Sequence, residues 1–525
     1  MAKGDSGYSM QAGGRQMPNL VNTDFILDMQ RKLYRWSRKD PDRVFSDLFN
    51  LVCDWRSLQL AWDQLCRNKG SKTPGTDGLN RRKIEERPDG VEGFLIEVEA
   101  TLRSGQYRPQ PVRQLLIPKP GKPGKFRPLG IPTLTDRLVQ MALKNVLEPI
   151  FEADFYPNSY GFRRGRSTLD ALTMIKKQLD ATKVGPSKFD FVIEADIKGC
   201  FDNIDHHLLM ERIRKRIGDN KVLRLILSFL KAGIMAEGTV RHPIAGTPQG
   251  GIISPLLSNI ILTDIDVRYG RWTPRPGEPA AKAARRRQGD RQKGLSTFYA
   301  VRYADDFVIL ISGTQEDAIN EKSRLATFLK EELHLELSEE KTLVTKAEDG
   351  FEFLGYRVIK ERNRHGRMSG NLRIPPGKLK AIRHRIKQMT TRTSTGQSLE
   401  DILRKINPII TGWSNYYRYA TGASKNFHDL DQWLWERIRL WMLKKHPKSK
   451  GRAVSSLYAR RVGNSRGTWG DGRLILRSFA QDGTKRFLCR GTRVSNGWND
   501  HIDGLRYYKE AARSKGSYTW TGKIQ

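Results

Sequence analysis

The sequence predicts an α+β fold followed by a helical segment and a small basic module. Three observations predict it. Apolar, strand-like runs at 298–301 and 307–310 flank Tyr303-Ala304-Asp305-Asp306, a tight reversal holding two adjacent acids. A further strand-like run, 189–196, ends in Asp196. Beyond Lys378, apolar residues recur at helical spacing, first Ile402, Leu403, Ile406, Ile409, Ile410, Trp413, Tyr416 and Tyr417, then Leu430, Trp433, Leu434, Ile438 and Trp441.

The elements follow in order. Residues 1–22, with several Gly, Ser and Gln, read as a flexible N-terminus. From Asp24 to about Lys69 the pattern is helical, with Phe45, Leu48, Leu51, Val52 and Trp55 as apolar positions. Pro74-Gly75-Thr76-Asp77-Gly78 marks a turn. Leu115-Leu116-Ile117 reads as a short strand, 118–128 as a basic loop, and Thr135 to Leu147 as a helix. Residues 267–297 interrupt the pattern with prolines and Arg285-Arg286-Arg287; a disordered insertion and a nucleic-acid contact both fit. The helical stripes beyond 378 are expected to be mostly core packing rather than stacking platforms.

Charge bounds the partners. The chain of 525 residues has a net charge of +36 and a pI near 10.1. Residues 351–525 hold 37 Lys/Arg against 12 Asp/Glu, so +25 of the total lies there. Such an excess self-repels unless a polyanion screens it, so nucleic acid is the first partner to consider. The same stretch is rich in Trp and Tyr, unlike a disordered basic tail. No apolar run is long enough to span a membrane, and no secretory leader is expected. Cys53, Cys66, Cys200 and Cys489 form no Cys-x-x-Cys pair, so neither a zinc knuckle nor a disulfide framework is expected, and a cytoplasmic location fits.

Two adjacent carboxylates are costly to withdraw from water unless a cation sits on them. A divalent metal is the usual solution, and phosphoryl or nucleotidyl transfer the usual chemistry. If the Asp196 strand neighbours the Asp305-Asp306 hairpin, three acids converge on two Mg²⁺ ions, with Mn²⁺ as a substitute.

The ordered blocks make the pattern specific. They are 125–132 (KFRPLGIP), 158–167 (NSYGFRRGRS), 196–205 (DIKGCFDNID), 246–256 (GTPQGGIISPL), 303–306 (YADD), 335–342 (LELSEEKT) and 353–356 (FLGY). This set resembles the fingers–palm signature of reverse transcriptases, in the form encoded by group II introns. Residues 412–419 (GWSNYYRY) resemble the maturase, or thumb, domain of those proteins. The resemblance implies a right-hand polymerase. Fingers and an antiparallel palm would occupy 23–360, a helical thumb/maturase domain 361–450, and a basic DNA-binding module 451–525. The paired Cys-x-x-Cys motifs of the family's nuclease domain are missing, so an endonuclease-lacking form is expected.

The resemblance also implies roles. Asp196, Asp305 and Asp306 match the catalytic metal ligands, with the Ile197 carbonyl as a further oxygen. Lys125 and Arg127 match residues that grip the triphosphate, and Phe201 matches the ring that excludes a 2′-hydroxyl. Gln249 and Gly250 match the strand along the nucleotide. Lys341 is either a cation for pyrophosphate or a surface lysine, and Tyr303 packs under the primer end or fills the sheet. Arg163, Arg164, Arg166, Trp413, Tyr417 and Arg418 are candidate RNA contacts. Expected partners are the group II intron RNA, target DNA and dNTPs, and the expected activity is RNA-directed DNA synthesis with splicing assistance during retrohoming. Other readings are a maturase without polymerase output, a related enzyme freed from its intron, and an RNA-dependent RNA polymerase. The intact acids oppose the first and Phe201 the last; flanking DNA would discriminate the second.

Overall fold

The computed structural model describes residues 20–498 except 119–123, 125, 182–184, 237–238, 242–244, 248–249, 364, 461–466, 472–473, 492–493 and 495–496. The expected flexible segment up to residue 19, and 499–525 of the basic module, lie outside them.

The central sheet has four antiparallel strands in the order Thr297–Tyr303, Asp306–Ser312, Phe191–Asp196, Leu343–Lys346. Successive residues of a strand face opposite sides, and here both sides are covered. Ile193, Ala195, Phe298, Ala300, Phe307, Ile309 and Ile311 enter one core. Val192, Tyr299, Val301, Val308 and Leu310 enter a second. Two buried faces explain why these strands read as continuous apolar runs rather than alternating ones.

The first core is built on the helix Leu134–Glu152, buried along most of its length and started by Thr133, whose hydroxyl accepts from the Asp136 N–H. Helices Leu20–Lys39 and Trp55–Cys66 pack on it. The helical stretch expected from Asp24 to Lys69 is thus divided, and Phe45 between its helices bridges to Ile217. A second sheet runs Phe126–Ile131, Val112–Pro118, Ile234–Ala236, Thr239–Arg241. The expected loop at 118–128 is corrected: Phe126, Arg127 and Pro128 belong to a strand. Pro128 is tolerated because that strand lies at the sheet's edge, where a missing N–H costs no ladder bond.

The second core joins the sheet to the C-terminal helices. Leu399–Tyr417 begins with a capping box, Ser398 with Asp401. Ile402, Leu403, Ile406 and Ile410 are buried, as are Leu430, Leu434, Ile438 and Trp441 of Ala423–Lys445. The stripes are core, as their spacing predicts. Residues 267–297 are ordered rather than a disordered insertion: the helix Ala280–Gln292 lies against the Thr297–Tyr303 strand. Arg287 stacks 4.9 Å from the Tyr299 ring, and Asp290 accepts from Arg271 and Trp272. Among the described residues, no helix is long and apolar enough to cross a membrane.

Candidate active site

Asp196 and Asp306 are direct partners in the antiparallel register. Directly opposed residues project to the same face. Asp305 is the second residue of the two-residue turn that joins Tyr303 to Asp306. The three acids, 110 positions apart at the extremes, therefore meet at one end of the sheet. Ile197 continues from Asp196 as an isolated bridge to Leu337. That bridge is made by Ser338 N–H to the Asp196 carbonyl and Lys198 N–H to the Glu336 carbonyl. The Ile197 carbonyl takes no part in either bond.

The electrostatics are those of carboxylates crowded together. Burial raises the carboxyl of Asp305, its own N–H and Arg127 oppose that rise, and the Asp196 charge adds to it. Asp306 still meets solvent but is crowded on its flanks. Burial first, then Asp305 and Asp196, push it up to about 7. Lys341 donates from Nζ to Asp196 Oδ2 at 2.6 Å. Among the described residues, no group of three or more His, Cys, Asp or Glu is gathered tightly enough to form a ready-made metal cage. The donor set nonetheless fits a hard divalent ion: it is all oxygen and strongly negative, and an ammonium already leans on one member.

The surrounding candidates fall into two groups. Arg127 is exposed on its strand, and its charge reaches both Asp305 and Asp306. Phe201 is half-buried after the left-handed Gly199 and meets the Phe162 ring edge-on at 6.2 Å. Thr247 N–H donates to the Phe201 carbonyl at 2.7 Å, so the 246–247 segment lies beside it. Gly250 (φ +122°) presses on the strand Phe126–Ile131: a Cβ there would sit 2.2 Å from the Gly130 carbonyl oxygen. Lys125 and Gln249 lie outside the described residues. Tyr303 is partly buried against the second core, as the sheet-filling reading has it.

The proposed RNA contacts are mostly used internally. Arg163 is buried, forks onto Glu152 at 2.6 and 2.9 Å, and donates to the Tyr156 and Ser159 carbonyls. Arg164 pairs with Glu148 and stacks under Trp498. Arg166 donates to the Pro157 carbonyl, and burial pushes it down to about 10. Trp413 packs among Tyr417, Phe427 and Phe479, while the Tyr417 hydroxyl donates to the Gly355 carbonyl. Of these side chains, the Arg163 guanidinium is matched to buried acceptors on all three nitrogens, and Trp413 and Tyr417 are packed in the second core. Arg418 is half-buried and donates to the Asp482 carbonyl.

Sequence reading missed several residues behind the turn. Arg302 is buried beside Asp266 and Asn259, and Gly161 presses on Ala304. The neighbours Val301 and Tyr303 on either side hid the arginine. Only its charge inside an otherwise apolar strand signalled it.

An α+β chain with three acids at the end of an antiparallel sheet, within reach of the Arg127 charge, carries the acid cluster of a nucleic-acid polymerase. Residues 117–358 match the reverse transcriptase (RNA-dependent DNA polymerase) family, and residues 379–458 match the group II intron maturase-specific domain. The chain is 39% identical over 366 residues to protein YkfC of Escherichia coli (strain K12), covering 67% of this chain and 93% of YkfC. It is 35% identical over 382 residues to the group II intron-encoded protein LtrA of Lactococcus lactis subsp. cremoris, covering 64% of this chain and 60% of LtrA. The chain belongs to the group II intron-encoded reverse transcriptase and maturase family.

Proposed function

We propose that this chain binds a group II intron RNA, assists its splicing, and copies it into DNA by target-primed reverse transcription. The observation that carries the reading is the Asp196–Asp306 pairing with Asp305 at the adjoining turn. The division of labour is that of a right hand: fingers and palm over 23–360, a helical thumb over 361–450, and a basic DNA-binding module beyond.

Asp196, Asp305, Asp306 and the Ile197 carbonyl would hold two Mg²⁺ ions, or Mn²⁺ in their place. Such ions supply a more acidic 3′-hydroxyl and neutralise charge on the departing pyrophosphate. The remaining work belongs to the chain. Arg127, together with Lys125, grips the triphosphate; a guanidinium does so in bidentate fashion. The Phe201 ring crowds a 2′-hydroxyl and selects dNTPs. Gly250 lets its backbone press close to Gly130 beside the nucleotide, and Gln249 contributes to nucleotide binding. Lys341 moves from Asp196 to the leaving phosphates.

Support for RNA binding comes from the helix Pro376–Met389. It contains no acid, and Lys378, Lys380, Arg385 and Lys387 are exposed on it. Phosphate contacts of this kind release counter-ions, so affinity should fall steeply with salt.

The test is primer extension on an RNA template with Mg²⁺ and dNTPs. Wild-type protein should extend the primer and Asp305→Ala should not, while RNA affinity is retained. Extension surviving in Asp305→Ala would overturn the assignment.

A further inference from the structure

The turn that carries Asp305 is built against local preference. Its first central residue, ordinarily glycine in a two-residue hairpin turn of this kind, is Ala304 at φ +58°. A left-handed non-glycine residue costs about 1–2 kcal/mol and persists only where the surroundings over-determine it. The surroundings here are specific. Arg302 Nη1 donates to the Ala304 carbonyl at 3.1 Å and to Asn259 Oδ1 at 2.9 Å. Asn259 Nδ2 donates to the Gly161 carbonyl at 2.9 Å. Gly161 closes the loop: a Cβ there would lie 2.2 Å from the Ala304 nitrogen, so only glycine lets that backbone cover the turn. Asp266 anchors the hub, accepting from Arg302 Nε and Nη2 at 2.5–3.2 Å. Arg302 and Asp266 expose only 1% and 4% of their side chains.

A buried ion pair is a poor source of stability, and apolar residues of similar volume often serve as well. What apolar residues cannot do is aim a donor at one carbonyl. The Ala304 C=O and the Asp305 N–H belong to one planar peptide, and that N–H bears on the Asp305 carboxylate. We propose that Arg302 is a positioning residue: held by Asp266 and Asn259, it fixes the Ala304–Asp305 peptide plane and so the direction in which Asp305 presents its carboxylate. This rests on the polymerase reading above and adds to it a residue that touches neither substrate nor metal.

The test uses the full chain with oligo(dT)-primed poly(rA), dTTP and Mg²⁺. Arg302→Lys keeps the charge, but a single ammonium cannot span Asp266, Asn259 and the Ala304 carbonyl together. Its kcat should fall about tenfold to a hundredfold, with KM for dTTP and primer–template affinity moving less than about twofold. Asn259→Ala, which leaves the Arg302–Asp266 pair intact, should show the same split more weakly. It also carries the test if Arg302→Lys fails to fold. Wild-type kcat in both variants would overturn the proposal, as would losses that track melting temperature or RNA affinity. A wild type that extends no primer would sink the polymerase reading instead. Mn²⁺ affinity, read by electron paramagnetic resonance, then judges the positioning role: weaker binding in Arg302→Lys supports it, and unchanged binding overturns it.

Discussion

Lys341 Nζ lies 2.6 Å from Asp196 Oδ2, so a lysine rests on one of the acids assigned to magnesium. Both side chains are partly exposed, 57% and 29%, so the pair contributes little to stability. Its significance is competition. Lys341→Met should tighten Mn²⁺ binding by about two- to fivefold, the worth of an exposed ion pair. It should also lower kcat about tenfold or more by removing a cation from the leaving phosphates. Titration with Mn²⁺ and steady-state extension check both; if neither changes, the lysine is a bystander.

Phe201 is held edge-on against Phe162 rather than sunk in a core. Phe201→Ala should therefore fold, and it should raise ribonucleotide use relative to dNTPs about tenfold to a hundredfold. Competing rUTP against dTTP on poly(rA) measures the ratio directly. An unchanged ratio would assign the ring to packing alone.

Two glycines should respond in opposite ways. Gly250→Ala places a methyl group 2.2 Å from the Gly130 carbonyl oxygen at a φ of +122°, and must lift that backbone off the strand Phe126–Ile131. We expect kcat/KM for dNTP to fall about a hundredfold. Gly289, in the helix Ala280–Gln292, has open space around its Cβ position. Gly289→Ala should stabilise the protein by about 0.5–1 kcal/mol, as a melting curve would show.

Arginines of one sequence block and lysines of another should separate stability from binding. Arg163→Ala strands the buried Glu152 and should cost about 3–5 kcal/mol of stability. Lys380→Ala with Arg385→Ala should leave stability within about 0.5 kcal/mol and reduce the salt slope of RNA binding by about two. A selective RNA-binding defect in Arg163→Ala would contradict the first expectation.

Glu278 carries the pH dependence of the insertion. Hydrogen bonds from Arg286 hold its carboxyl down at about 2, against burial, which raises it. A depressed carboxyl stabilises the fold above its unfolded pKa and loses that contribution as pH falls toward its folded one. The window here runs from about 4.3 down to about 2. With solvent screening the contribution is about 1 kcal/mol at neutral pH. Glu278→Gln should speed hydrogen exchange over 275–290 at pH 7, and the difference should vanish near pH 2.

The two acid-bearing elements were legible because their signals are short-ranged. Tyr303 to Asp306 between two apolar runs specifies a hairpin, and Asp196 at a strand end specifies where an acid stops. The strand at 126–131 was not legible, because Pro128 argues for a loop until the strand is known to be an edge. The burial of Arg163 was not legible for a related reason: clustered cations look the same in sequence whether they face phosphate or a buried Glu152.

Sequence alone determined the blocks, the charge, the helical stripes and the identity of the three acids, since local periodicity and side-chain chemistry are properties of neighbouring residues. Tertiary structure decided which charges are already matched. Arg302 on its strand meets Asp266 and Asn259 of the helix Ser254–Arg268, Lys341 crosses to Asp196, and Arg490 returns to Asp170 from the far end of the chain. A charge is solvated or paired according to what the fold brings within about 3 Å of it, and residues far apart in sequence are joined only by folding.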